Sequence, residues 1–299
     1  MKNRRLVTGD NSINIQADKV EIILPEELIA SNNNPLDFLE KSLSIALGLR
    51  ESSFLKEAAV ILEYIYINFD YSYQNKATIR LLATLAEDLA LLKMDLGYIS
   101  GGDLSAIPLF LKASRLWKAS GDQIKSIFDV HMLGVCCGIS GANNRAIAIY
   151  TACRANIPKT KKFESIYAHV TRDLGIALNR KEEYAVASNL LQESADITSY
   201  WGSSFNFGLD VQKLAIAYAG MKKFDEAYKM LELSSLHLEE KDDLTYVKNL
   251  NAKHFFYIKL GNKVAAKKLE GQIIEICDKK FLTHQKSVTK FQSLTGKVK

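Results

Sequence analysis

"LGIALNRKEEYAVASNLLQES", residues 174–194, opens on Leu174-Gly175, places Ala187 thirteen residues after the leucine, and sets Leu191 four residues further on. "LGVCCGISGANNRAIAIYTAC" (133–153) and "LAIAYAGMKKFDEAYKMLELS" (214–234) align with it without a gap. Each repeats the leucine followed by a small residue (Gly134, Ala215), then the alanine (Ala146, Ala227) and the large apolar residue (Tyr150, Leu231). The same frame reaches Ala106 in "GYISGGDLSAIPLFLKA" and Ala266 in "YIKLGNKVAAKKLE", so the alanines fall at intervals of 40, 41, 40 and 39 residues. A weaker copy around Ala58 sits one insertion earlier.

A fixed period of this length is the signature of stacked supersecondary units, and here the apolar spacing inside each unit is helical. Small residues on a first helix and an alanine on a second allow the two backbones to approach closely, while the neighbouring leucines and aromatics fill the space between successive pairs. Turn signals place helices near 36–49, 53–68, 74–98, 103–119, 122–139, 143–155, 161–179, 183–200, 206–220, 224–238, 243–260 and 263–278. Asp103 and Asn143 read as caps opening two of them.

These residues resemble the tetratricopeptide repeat, through Leu174, Gly175, Ala187 and Leu191 in one unit, Tyr218, Ala227 and Leu231 in the next, and Tyr257, Gly261 and Ala266 in the last. The resemblance spans about residues 36–277. It departs from the family in its longer period and in lacking the motif's Trp and terminal Pro, which leaves HEAT-like hairpins as the alternative. It implies an all-α fold: a right-handed α-solenoid of about five to six TPR-like helical hairpins, preceded by a short β-strand segment. A protein- or peptide-binding scaffold, adaptor or sensor is the function that goes with it. The first helix of each pair then lines a concave groove, with Arg172, Asn179, Arg180, Gln212, Lys213, Lys248, Asn251 and Lys259 facing inward. Such a basic, amide-rich strip suits a terminal carboxylate or an acidic segment, although a solvated helix face would look the same.

The segment in front of the repeats has a different period. "VTGDNSINIQADKVEIIL", Val7 to Leu24, alternates apolar and polar residues and predicts two short strands, one carrying Ile13 and Ile15, the other Val20 and Ile22, turning at Asp18-Lys19. Two strands alone are marginal in water and need more strands from a second copy or a partner, so these four residues are the candidate assembly strand. Gly9–Ile22 also resembles a short segment, Gly-Asp-Asn-Ser-x-Asn-Ile-Gln, found at the start of bacterial conflict and phage-defence proteins. That resemblance implies a bacterial multi-protein system and docking through strands, not an activity.

The chain thus divides into an N-terminal segment and linker (1–34), helical repeats (35–278) and a basic tail or capping helix (279–299). The whole carries 39 basic and 34 acidic residues in 299, a net charge of +5, and 47% hydrophobic residues, enough for a substantial core. The tail holds six lysines, among them Lys279, Lys280, Lys286 and Lys290, and no acid. Nucleic-acid binding by this tail and the groove is the rival function.

Four cysteines without paired spacing suggest reduced, packed thiols, and the five histidines show no metal-ligand spacing. No Gly-x-Ser-x-Gly or phosphate-loop motif occurs. The expectation is a cytoplasmic, non-enzymatic protein without cofactor or metal.

Overall fold

The computed structural model describes residues 4–8, 11–15, 35–51, 54–68, 75–100, 105–201, 203–238, 243–279 and 289. Two compact units divide at residues 149 and 150.

The first unit carries α1 (Pro35–Glu51), α2 (Leu55–Asn68), α3 (Lys76–Ser100), α4 (Ala106–Ser120) and α5 (Gln123–Ile139); α6 (Asn143–Asn156) crosses the division. A 3-10 turn (Lys161–Phe163) leads the second unit into α7 (Glu164–Arg180), α8 (Tyr184–Tyr200), α9 (Ser204–Gly220), α10 (Phe224–Leu238), α11 (Asp243–Lys259) and α12 (Lys263–Lys279). All twelve described helices lie within three residues of the spans read from the sequence. From α1 to α5, and again from α7 to α12, each helix packs on the next. First helices also touch across one repeat: α1 with α3, α3 with α5, and α7 with α9.

The repeat frame is the packing frame. Ala58, Ala106, Ala146, Ala187, Ala227 and Ala266 are all buried, and Leu62, Phe110, Tyr150, Leu191 and Leu231, each four residues later, are buried with them. Burying each of these large side chains contributes about 1.5–3 kcal/mol. Gly175 shows why the small residue is needed: a Cβ there would lie 2.7 Å from Leu191 Cγ.

Two backbone devices recur with the period. Four hairpins turn through a left-handed residue eight positions after the frame leucine or its equivalent: Gly141, Glu182, Lys222 and Gly261, at φ of 80°, 64°, 62° and 72°. The residue after each donates back to a carbonyl of the first helix, as in Glu183 N–H to Leu178 O (3.0 Å) and Lys223 N–H to Tyr218 O (2.9 Å). This is the Schellman closure of a helix end. In the second device a serine on the second helix donates to the backbone of the first: Ser194 Oγ to Ala168 O (2.9 Å) and Ser234 Oγ to Gly208 O (2.8 Å).

Caps fall partly elsewhere than expected. Asn75, Asp122 and Asn262 accept the backbone N–H groups of Thr78, Lys125 and Ala265. Asn143 is instead the first residue of α6 and its side-chain oxygen accepts no hydrogen bond from the described residues; Asp103 lies outside them.

At the N-terminus, β1 (Arg4–Thr8) pairs antiparallel with β2 (Asn11–Ile15), from Arg4 opposite Ile15 to Thr8 opposite Asn11. The closing pair is therefore Thr8 with Asn11, and the expected turn at Asp18-Lys19 lies outside the described residues. Ile13 and Ile15 belong to β2; Val20 and Ile22 lie outside the described residues.

Candidate partner-binding face

All eight residues assigned to the strip lie on the first helices α7, α9 and α11 of the second unit. Asn179 is buried, and its Nδ2 donates to the Lys213 carbonyl at 3.1 Å, which ties α7 to α9. Gln212 is buried beside it and its Nε2 reaches Asn249 Oδ1 at 3.5 Å, a long contact that joins α9 to α11. Lys213 Nζ donates to Gln212 Oε1 at 2.7 Å.

Positive charge converges on Lys213. Burial lowers the affinity of its amine for a proton, and the nearby cations Lys248, Arg172 and Arg180 lower it further, to a pKa of about 8. Among the described residues no carboxylate lies within ion-pair distance of Lys213 or Lys248. Arg172 is different, because Asp173 at 3.8 Å and the buried Asp210 at 3.7 Å neutralise it, and its Nη1 donates to Asn206 Oδ1 at 3.1 Å. Asp210 also accepts from Thr198 Oγ1 at 2.7 Å; burial nevertheless pushes its carboxyl up to about 6. Arg172 is thus a structural member of the strip, while Arg180 is exposed at its edge.

Of the remaining two residues, only Asn251 has a described side chain. Asn251 is buried, and its Oδ1 accepts from the buried Thr289 hydroxyl at 2.6 Å, so that amide is occupied by the tail. Lys259 lies in α11, with its side chain outside the described residues. Lys253, on the same helix, is held by Glu232 at 2.9 Å. Of the tail lysines, Lys279 ends α12 and pairs with Glu275 at 2.8 Å; Lys280, Lys286 and Lys290 lie outside the described residues.

Sequence reading missed Asp210, Asn206 and Asn249, the polar residues that position this strip. The signal was present in the frame: Asp129, Asp210 and Asn249 all stand four residues before the frame leucine or its equivalent, and all three are fully buried.

Nucleophilic chemistry finds no support in the thiols. Cys136 and Cys153 are buried and pushed up to about 11, far from thiolates at neutral pH. Among the described residues no three His, Cys, Asp or Glu side chains are grouped to hold a metal ion, and no helix is long and apolar enough to cross a membrane.

No protein-family model matches the sequence, and a search of curated proteins returns no match. Solved structures do resemble it. Aspartyl phosphate phosphatase F from Bacillus subtilis is 12% identical, with a TM-score of 0.57 over 88% of this chain and 75% of that one. BtubC (BKLC) from P. vanneervenii is 16% identical, with a TM-score of 0.56 over 80% of this chain and 90% of that one. The nearly identical TPR-like repeats of a kinesin light chain from Podosopora anserina are 15% identical, at 0.50 over 67% and 94%. These likenesses establish a TPR-like helical-repeat fold.

Proposed function

We propose that this chain is a non-catalytic adaptor or sensor whose α7–α9–α11 face binds an acidic segment or a C-terminal carboxylate of a protein partner. The observation that carries this reading is the approach of Lys213 and Lys248 to each other from successive first helices, beside Arg172 and Arg180 and with no carboxylate at ion-pair distance from either lysine among the described residues. Repelling cations held together raise the free energy of the unbound face, and an anionic ligand relieves it. Asn179, through the Lys213 backbone carbonyl, and Gln212, through the Asn249 side chain, tie the three helices together beneath, so the face is preorganised.

In the same proposal the N-terminal strands serve assembly. A two-stranded ribbon leaves backbone donors and acceptors along both edges, which another copy or a partner can pair by β-augmentation. The likeness of Gly9–Ile22 to segments of phage-defence proteins favours a bacterial multi-protein system as the setting.

A pull-down from the native host tests the face. The double variant Arg180→Glu with Lys213→Glu is expected to lose the partner while keeping its helical circular dichroism; full retention of the partner would sink the proposal. Removing residues 1–30 should lower the assembled mass in solution, and an unchanged mass would refute the strand role.

A further inference from the structure

A second site lies on another side of α7. A cavity of about 300 Å³ opens in the second unit between the loop from Pro158 to Thr160, the start of α7 with Glu164 and Tyr167, and α8 with Glu193 and Ile197. At 100° per residue, Glu164 and Tyr167 point about a quarter turn away from Arg172 and Asn179. The cavity is therefore separate from the cationic face.

Its walls are held in place before any ligand arrives. Arg154 Nη2 grips both oxygens of Glu193, at 2.9 and 2.6 Å, and Tyr167 Oη donates to Glu193 Oε1 at 2.7 Å, so this carboxylate is neutralised and its acceptors are occupied. Arg154 Nε donates to Thr171 Oγ1 at 3.1 Å and the guanidinium lies 5.1 Å from the Tyr167 ring centroid. On the other side Trp201 Nε1 donates to Glu164 Oε2 at 2.8 Å, fixing the side chain while leaving Oε1 without a hydrogen bond among the described residues. The loop is closed by Thr160 N–H to Pro158 O (2.8 Å) and Phe163 N–H to Thr160 O (2.9 Å).

Two opposite charges in this cavity do not meet each other. Glu164 has no ion-pair partner among the described residues, and neither has Lys159 on the facing loop. The same lining includes the apolar surfaces of Tyr167, Ile197 and Pro158. A mostly apolar pocket with two convergent polar groups is the usual build of a small-molecule site.

We propose that this cavity binds a small zwitterion of amino-acid or dipeptide size. The ligand's ammonium donates to Glu164 Oε1, its carboxylate meets Lys159, and its side chain lies on Tyr167 and Ile197. Glu193 takes no charge from the ligand, since Arg154 already neutralises it.

The test uses the full chain with L-leucine, L-phenylalanine and Leu-Leu as probes, followed by saturation-transfer NMR and then calorimetry. At least one probe should bind saturably, and its N-acetylated and C-amidated forms should bind at least about tenfold more weakly, since each loses one charged hydrogen bond. Glu164→Gln, which keeps an acceptor for Trp201, and Lys159→Met should each weaken binding by about the same factor. Arg180→Glu should leave it unchanged, because it belongs to the other face. Absence of saturable binding by all three probes, capped forms binding as well as their parents, or wild-type affinity in Glu164→Gln would each overturn the proposal.

Discussion

Asn179 Nδ2 donates to the backbone carbonyl of Lys213 at 3.1 Å, one residue crossing from α7 to α9 at a lysine crowded by three other cations. Position of the charge and stability of the repeat junction are thereby coupled. Asn179→Ala removes the inter-helix donor from a carbonyl that keeps its intrahelical partner, and should cost about 0.5–1.5 kcal/mol in urea denaturation. A change below a few tenths would show that the contact is incidental.

Gly175→Ala forces a methyl group to within 2.7 Å of Leu191 Cγ. Overpacking of this kind should destabilise by about 1–3 kcal/mol. Leu191→Ala empties a fully buried position and should cost about 2–5 kcal/mol. The double variant should be less destabilised than the sum, since the smaller residue 191 makes room for the added methyl. Strict additivity in a double-mutant cycle would argue that the two helices do not meet there.

The hairpin turns give a contrast in sign. Lys222 holds φ at 62° where glycine would be unstrained, so Lys222→Gly should raise stability by about 0.5–1 kcal/mol after the added unfolded-state entropy is counted. Gly261→Ala, at the equivalent position with φ 72°, should lower it by about 1 kcal/mol. Thermal melts of the two variants moving in the same direction would contradict the shared turn geometry.

Asp129 in α5 is fully buried and neither of its oxygens accepts a hydrogen bond among the described residues. Burial first, and the neighbouring Glu87 second, push its carboxyl up to about 8, against the opposing pull of Lys125. In the folded state the proton is therefore kept while the unfolded chain has released it. The Asp129 contribution to stability therefore falls as pH rises from about 4 towards about 8 and is constant above. Asp88 and Asp210, each raised to about 6, steepen only the lower half of that window. Asp129→Asn should flatten the upper half, between pH 6 and 8, in denaturation curves taken across pH; an unchanged slope would refute a protonated Asp129.

How much of this was legible in the sequence follows from what the period records. Leu174, Gly175, Ala187 and Leu191 are constrained by a contact repeated in every unit, so their spacing exposes the helices, the hairpins and the close approach. Lys213 and Arg180 are assigned to the strip by what the tetratricopeptide resemblance implies for first helices, together with the repeat register. Buried polar groups were harder. Asp129 and Asp210 look like solvated acids in a single repeat, and only their shared place in the frame marks them as interior. The Glu164–Lys159 cavity was invisible, since α8 and Trp201 meet α7 across about thirty residues of chain and the non-repeating loop at Pro158 supplies one wall. At the N-terminus an alternating pattern announces strands without setting the pairing partner, and the strand found opposite Ile13 and Ile15 is Arg4–Thr8.

The central claim is that the α7–α9–α11 cations form an anion-binding face, and the most direct measurement is a fluorescence-anisotropy titration of the full chain with peptides ending in free acidic C-termini. Saturable binding is expected, weakening as salt rises and falling about tenfold or more in Lys248→Met and in Arg180→Glu, with amidated peptides bound less tightly. Affinity independent of salt and unchanged in both variants, or no saturable binding by any acidic peptide, would contradict the account.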